Sequence, residues 1–235
     1  MLRKYNILFL VIFFEIIFIS PVLAFENKIN PIQMELYEIC QFKLGDTVDE
    51  LSRENYLQRN YVQNQNEKIV NYLAPLKKPE INGIPIYREM DLSFYNNQLY
   101  NVFFKFNMEN LKIGDKLKEY FTTKMGTPIV SVNSYSDRML TNYIWKNNDY
   151  SISLGLGADN GILVFSYIPL ETEVNKLVMI EYAHMLKIYP ENKKIFENLI
   201  ENNLEYRNYM KKCIENNPEY KEALIEADVN MTLFK

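Results

Sequence analysis

The stretch Phe42-Lys-Leu-Gly-Asp-Thr-Val-Asp-Glu-Leu51 decides how this chain is read, because the chain writes it twice. Sixty-nine residues further on comes Leu111-Lys-Ile-Gly-Asp-Lys-Leu-Lys-Glu-Tyr120. Lys43 and Lys112, Gly45 and Gly114, Asp46 and Asp115, and Glu50 and Glu119 are identical pairs. Phe42/Leu111, Leu44/Ile113, Val48/Leu117 and Leu51/Tyr120 keep apolar character. Each copy predicts a short strand, a glycine at a tight backbone turn, an aspartate N-cap and the first turns of a helix. Strand-like segments follow each copy. The expected fold class is therefore α+β, with two tandem helix-plus-antiparallel-sheet units at about 42–110 and 111–169 in a domain spanning 25–169. A C-terminal helical region, 170–235, completes the chain.

Inside the first unit, Lys68–Ala74 and Ile81–Ile86 read as strands. Asp91–Tyr95 and Gln98–Phe106 flank Asn96-Asn97, a two-residue hairpin turn at which asparagine tolerates positive φ. In the second unit a helix is expected from the Asp115 cap to Met125, stopped by Gly126 with Pro128 beyond it. Leu140–Lys146, Tyr150–Leu156 and Ile162–Ile168 are the strands that follow. Tyr150, Ile152, Leu154 and Leu156 alternate with Ser151, Ser153 and Gly155, so this strand is expected to bury one face and wet the other. In the tail, an apolar helix stops before Pro190, and a second runs from about Asn192 to Asn216. On the second helix Phe196, Leu199, Asn203, Tyr206, Met210 and Cys213 recur at spacings of three and four, a seam through which the C-terminal helices could form a homodimer.

Residues 1–24 read as a secretory signal. Arg3 and Lys4 open it, Ile7 to Ile19 is apolar apart from Glu15, and Ser20-Pro-Val-Leu-Ala24 supplies a cut site. An uncleaved N-terminal anchor is the alternative, and with the signal removed no membrane contact is expected. Without that segment, 24 basic residues stand against 29 acidic ones, a balance of −5. A mildly acidic surface argues against nucleic acid, which needs a basic face. The location expected is outside the cytoplasm, periplasmic or secreted. There, Cys40 and Cys213 are either a disulfide or two separate buried thiols.

Catalytic patterns are sparse. His184 is the only histidine of the chain, so Glu181-x-x-His184 has no second histidine with which to complete a metal site. No Gly-x-Ser-x-Gly elbow accompanies it. Gly155 to Gly161 is glycine-rich but joins strand to strand, and Asp159 alone is far from a calcium cage. No metal and no cofactor is expected. The aromatics Phe103, Tyr143 and Trp145 are the candidate partner-binding residues: on an open sheet face they would anchor a protein. Otherwise they lie under the C-terminal helices.

Taken together, an apolar residue with Leu44-Gly45, the turn Tyr95-Asn-Asn-Gln-Leu-Tyr100 and the helix stop Lys124-Met-Gly-Thr-Pro128 resemble exported domains built like the β-lactamase inhibitor protein. The small lipoprotein of the outer-membrane barrel assembly machinery is similar in architecture. The resemblance covers about Phe42 to Pro169 and implies two packed helix-plus-sheet units that bind protein or envelope partners. The helical tail and the lack of a cysteine to lipidate directly after the cut at Ala24 depart from it. The expected function is an exported, non-enzymatic binding module for a protein or cell-envelope component. A hydrolase of a cell-surface polymer, working through carboxylates, is the alternative.

Overall fold

Asn96 and Asn97 both adopt positive φ, 48° and 67°, and turn β5 (Glu89–Tyr95) into β6 (Gln98–Asn107). That hairpin is the centre of the computed structural model, which describes residues 30–55, 57–60, 67–108, 112–135, 138–157 and 160–234. The expected signal segment and Asp159 lie outside the described residues. The chain divides into two compact units, one ending at Glu171 and the other beginning at Thr172.

The first unit opens with α1 (Pro31–Cys40), capped by the Asn30 side chain, and α2 (Val48–Glu54). Then come β1 (Gln58–Asn60), β2 (Ile69–Pro75), a small hairpin of β3 (Glu80–Ile81) and β4 (Ile84–Pro85), and the β5–β6 pair. The second half supplies α3 (Lys112–Met125), β7 (Ile129–Tyr135), β8 (Arg138–Lys146), β9 (Tyr150–Leu156) and β10 (Asn160–Tyr167). All pairings are antiparallel, and the large sheet runs β1-β2-β5-β6-β10-β9-β8-β7. The two expected ribbons are thus one eight-stranded sheet, joined where the last strand of each half meets the other, Phe104 opposite Leu163. Ile81–Ile86, expected as one strand, is instead the β3–β4 hairpin, because Asn82 and Gly83 both take positive φ. No strand was expected at β7.

The duplicated stretch does not keep one structure. Gly45 has φ +98° in a turn tied to β6, its N–H donating to the Leu99 carbonyl at 2.8 Å. The helix cap there is Thr47, in a capping box with Glu50, while Asp46 accepts from the Lys43 N–H at 2.7 Å. Gly114 lies inside α3 instead. A Cβ at that position would stand 3.0 Å from both methyls of Leu156, so glycine lets the helix approach the sheet. Asp115 is a first-turn acid that favours the helix dipole, not an N-cap.

One face of the sheet carries the three helices. Leu92, Val102, Phe104, Phe106, Trp145, Ile152, Leu154, Leu163 and Phe165 meet Ile32 and Leu36 of α1, Leu51 of α2, and Leu117 and Phe121 of α3. Phe121 packs edge-on against Phe165, and Phe165 against Phe104. Burying each such ring contributes about 2–3 kcal/mol before entropy is counted. Gly126 ends α3 with φ +86°, as its sequence position predicts.

The second unit contains the remainder of α4 (Ile168–Ile188), then α5 (Pro190–Asn202), α6 (Leu204–Asn216), α7 (Pro218–Glu226) and a 3-10 turn, Met231–Phe234. The long helix expected from Asn192 to Asn216 is broken at Asn203, whose side chain accepts from the Tyr206 N–H at 3.0 Å and caps α6. The expected seam folds on itself: Phe196, Met210 and Cys213 are buried, with Phe196 set against Tyr182 and Tyr206. Leu199 of the same seam stays 37% exposed. No helix among the described residues is long and apolar enough to cross a membrane.

Candidate functional site

Trp145 is not a contact residue. It is 3% exposed, its ring lies 5.6 Å from that of Phe121, and its indole N–H donates to the Gly126 carbonyl at 2.9 Å. Residues two apart on a strand share a face, so Tyr143 also points toward α3, where the Lys118 ammonium sits 4.6 Å from its ring centroid. The cover over both is α3, not the C-terminal helices. Phe103 faces the other way and is half-buried between Asp91 and Val164. The three aromatics therefore do not form one surface. The cysteines are free thiols, not a disulfide. Cys40 donates to the Leu36 carbonyl at 3.3 Å, and burial pushes its pKa up to about 12. Burial raises Cys213 as well. Neither is a ready nucleophile. His184 is exposed on α4, and among the described residues no group of metal-ligating side chains forms.

The second sheet face is the unexpected one. Register places Asn71, Ser93, Asn101, Ser166, Ser151 and Lys146 directly opposite one another across six neighbouring strands. The serines expected to be wet are buried, and so are Ser93, Asn101, Ser166 and Asn142. Glu171, at the start of α4, accepts from the Ser166 hydroxyl at 3.2 Å. Desolvation raises its pKa to about 7, against the smaller favourable pull of the Ser166 hydroxyl. Among the described residues, neither amide atom of Asn101 reaches hydrogen-bonding geometry with any group. Ser93 donates to Asn71 at 2.7 Å. A carboxyl that titrates near neutrality beside a serine invites a catalytic reading. Glu171 and Ser166 are 4% and 3% exposed, which keeps substrate from them.

A half-open cleft of about 400 Å³ lies between α1, α3 and the β3–β4 hairpin, lined by Glu35, Glu38, Lys78, Glu80, Tyr120 and Lys124 among others. Its buried carboxylate, Glu35, accepts from the Tyr120 hydroxyl and from Lys124, each at 2.5 Å. Lys124 also reaches Glu38 at 3.5 Å, and Lys78 pairs with Glu80 at 2.7 Å. The Tyr120 hydroxyl is held above its usual pKa, first by burial and then by its bond to Glu35. These groups satisfy one another and clamp α1 to α3.

The remaining feature is β7, which among the described residues ends the sheet. It pairs on one side with β8, Ile129 opposite Ile144 and Val132 opposite Thr141. Ile129, Val130 and Val132 are 41%, 54% and 55% exposed. Its seven residues, Ile129-Val-Ser-Val-Asn-Ser-Tyr135, include no charge, no proline and no glycine. Proteins ordinarily blunt such edges with lysine, proline, bulges or shortness. The signal was present in the sequence, where Ile129, Val130 and Val132 sit in a β-branched run after Pro128, but a run that directly follows a helix stop is easily read as a link. No family model, no curated protein and no solved structure matches this chain.

Proposed function

We propose that this is an exported, non-enzymatic binding module, and that its binding surface is the outer edge of β7, which takes an extended protein segment as a ninth strand. The observation that carries the reading is an edge seven residues long, uncharged and apolar, with nothing in its own composition to discourage pairing. In strand addition the main chain supplies affinity, and alternate side-chain positions supply specificity. Val130 and Val132 stand on one face and Ile129 on the other, so an incoming strand with small apolar residues on both faces fits. The leader-like residues 1–24 support export, and the acidic balance speaks against nucleic acid. The resemblance to exported binding domains points the same way.

The test is photo-crosslinking in the producing cell, with a benzophenone amino acid at Val132 on one edge and at Arg59 on the opposite one. Discrete protein adducts from position 132 and none from position 59 are expected. A chain that crosslinks at neither edge, or only at 59, removes β7 as the binding surface.

A further inference from the structure

Resting on that reading of β7, the geometry points to a specific occupant: we propose that the ninth strand is β7 of a second copy, paired antiparallel about a two-fold axis at position 131. An isologous contact requires a patch that complements itself. Around position 131, β7 does so. In that register Val130 of each copy lies directly opposite Val132 of the other, and position 129 opposite position 133. The half-exposed valines, 54% and 55% accessible in the single chain, come together as a four-valine patch on the α3 side of the joined sheet. Cross-strand pairs of β-branched residues are among the favourable ones in antiparallel sheets.

Charge favours the same occupant. Self-pairing of a strand places like side chains near like, so a strand holding even one lysine or glutamate near its centre would meet its own charge across the axis. From Ile129 to Tyr135 there is none. A charged extended peptide, by contrast, would find no counter-charge on this strand. The opposite edge explains why growth stops at two. β1 spans three residues, Gln58–Asn60, and carries Arg59 in the middle, the short and charged construction that discourages pairing. A head-to-tail contact of β7 on β1 would propagate into a fibre, whereas β7 on β7 consumes both apolar edges and leaves two blunt ones. The product is a closed dimer with a continuous sheet of sixteen strands, twice the eight of one chain.

The experiment is sedimentation equilibrium on the full chain, produced with its own N-terminal segment, beside the variants Val130→Thr/Val132→Thr and Val130→Lys/Val132→Lys. The wild type is expected at twice the protomer mass. The threonine variant keeps β-propensity and should remain largely dimeric. The lysine variant sets lysines directly opposite each other twice and should dissociate at least about 100-fold more readily. Register is read separately: mixing Val130→Cys with Val132→Cys should form crosslinked dimers faster than either alone, since position 130 faces 132 and not itself. A dimer that survives the lysine pair, or cysteines that crosslink best to their own kind, overturns the proposal. So does a monomeric wild type. If that monomer still yields adducts with another protein from position 132, only the second copy is lost and the binding reading stands.

Discussion

The two faces of the eight-stranded sheet are built from alternate residues of the same strands, yet they obey different physics. On the helix-bearing face, apolar side chains meet apolar helices, and the indole of Trp145, the one polar group quoted there, is satisfied by the Gly126 carbonyl. On the other face a row of Asn and Ser is buried, with Asn101 unsatisfied and Glu171 displaced toward the neutral form. Alternation of residue type thus determines which side chains share a face, but not whether that face meets water. The polar face carries a cost in stability that the apolar face does not, and the two should respond oppositely to mutation.

The largest effect is expected on the apolar side. Trp145→Ala removes a packed indole and leaves the Gly126 carbonyl without its donor, so urea denaturation should record a loss of roughly 3–5 kcal/mol. A loss under about 1 kcal/mol would mean that the face is not the tight core described here. In the folded wild type the same indole should fluoresce at short wavelength and resist iodide, because it is shielded.

Glu171→Gln should act in the other direction. The folded carboxyl titrates at about 7, above its ordinary 4.5, so the folded state holds a proton that the unfolded state has released. This group's contribution is therefore most favourable below about pH 4.5 and is lost as pH climbs through 7. The difference is on the order of 3 kcal/mol. The glutamine variant should be more stable than wild type at pH 8 and should flatten the stability slope between pH 4.5 and 7. An unchanged slope would show that Glu171 is solvated in the folded protein.

Asn101→Leu, close in size, exchanges a buried and unpaired amide for an apolar group and should gain about 1 kcal/mol. A clear loss of stability would mean that Asn101 has a partner. The smallest effect is expected at Gly114→Ala. A gain of about 1 kcal/mol in helix propensity opposes the crowding of the Leu156 methyls, leaving a net change within about 1 kcal/mol of zero. A loss above 2 kcal/mol would show that α3 cannot shift on the sheet.

Several features were legible in the residues because their causes are local. Asn96-Asn97 could be read as a hairpin turn and Gly126 as a helix stop, each from a φ preference. The α+β class followed from the change of period, two along the strands and near 3.6 in the helices. The doubled Gly-Asp stretch marked two halves correctly but was misread in detail. In one copy glycine serves a φ of +98°, and in the other it makes room for Leu156, a residue 42 positions away in sequence that no local pattern can bring near. The candidate binding strand was missed for a related reason. β7 shows a β-branched run, but edge status depends on which strands pair elsewhere.

What the sequence determined alone was the kind of most elements and where many of them begin and end, since these depend on backbone preferences and on periodicity within a few residues. Tertiary structure alone decided that the halves fuse into one sheet at β6 and β10, that the serine and asparagine face is buried, that Trp145 is core, and that an uncharged strand is left at the rim. Those outcomes depend on register and order between strands remote in sequence, and a hydrogen-bond ladder is specified only once its partner is present.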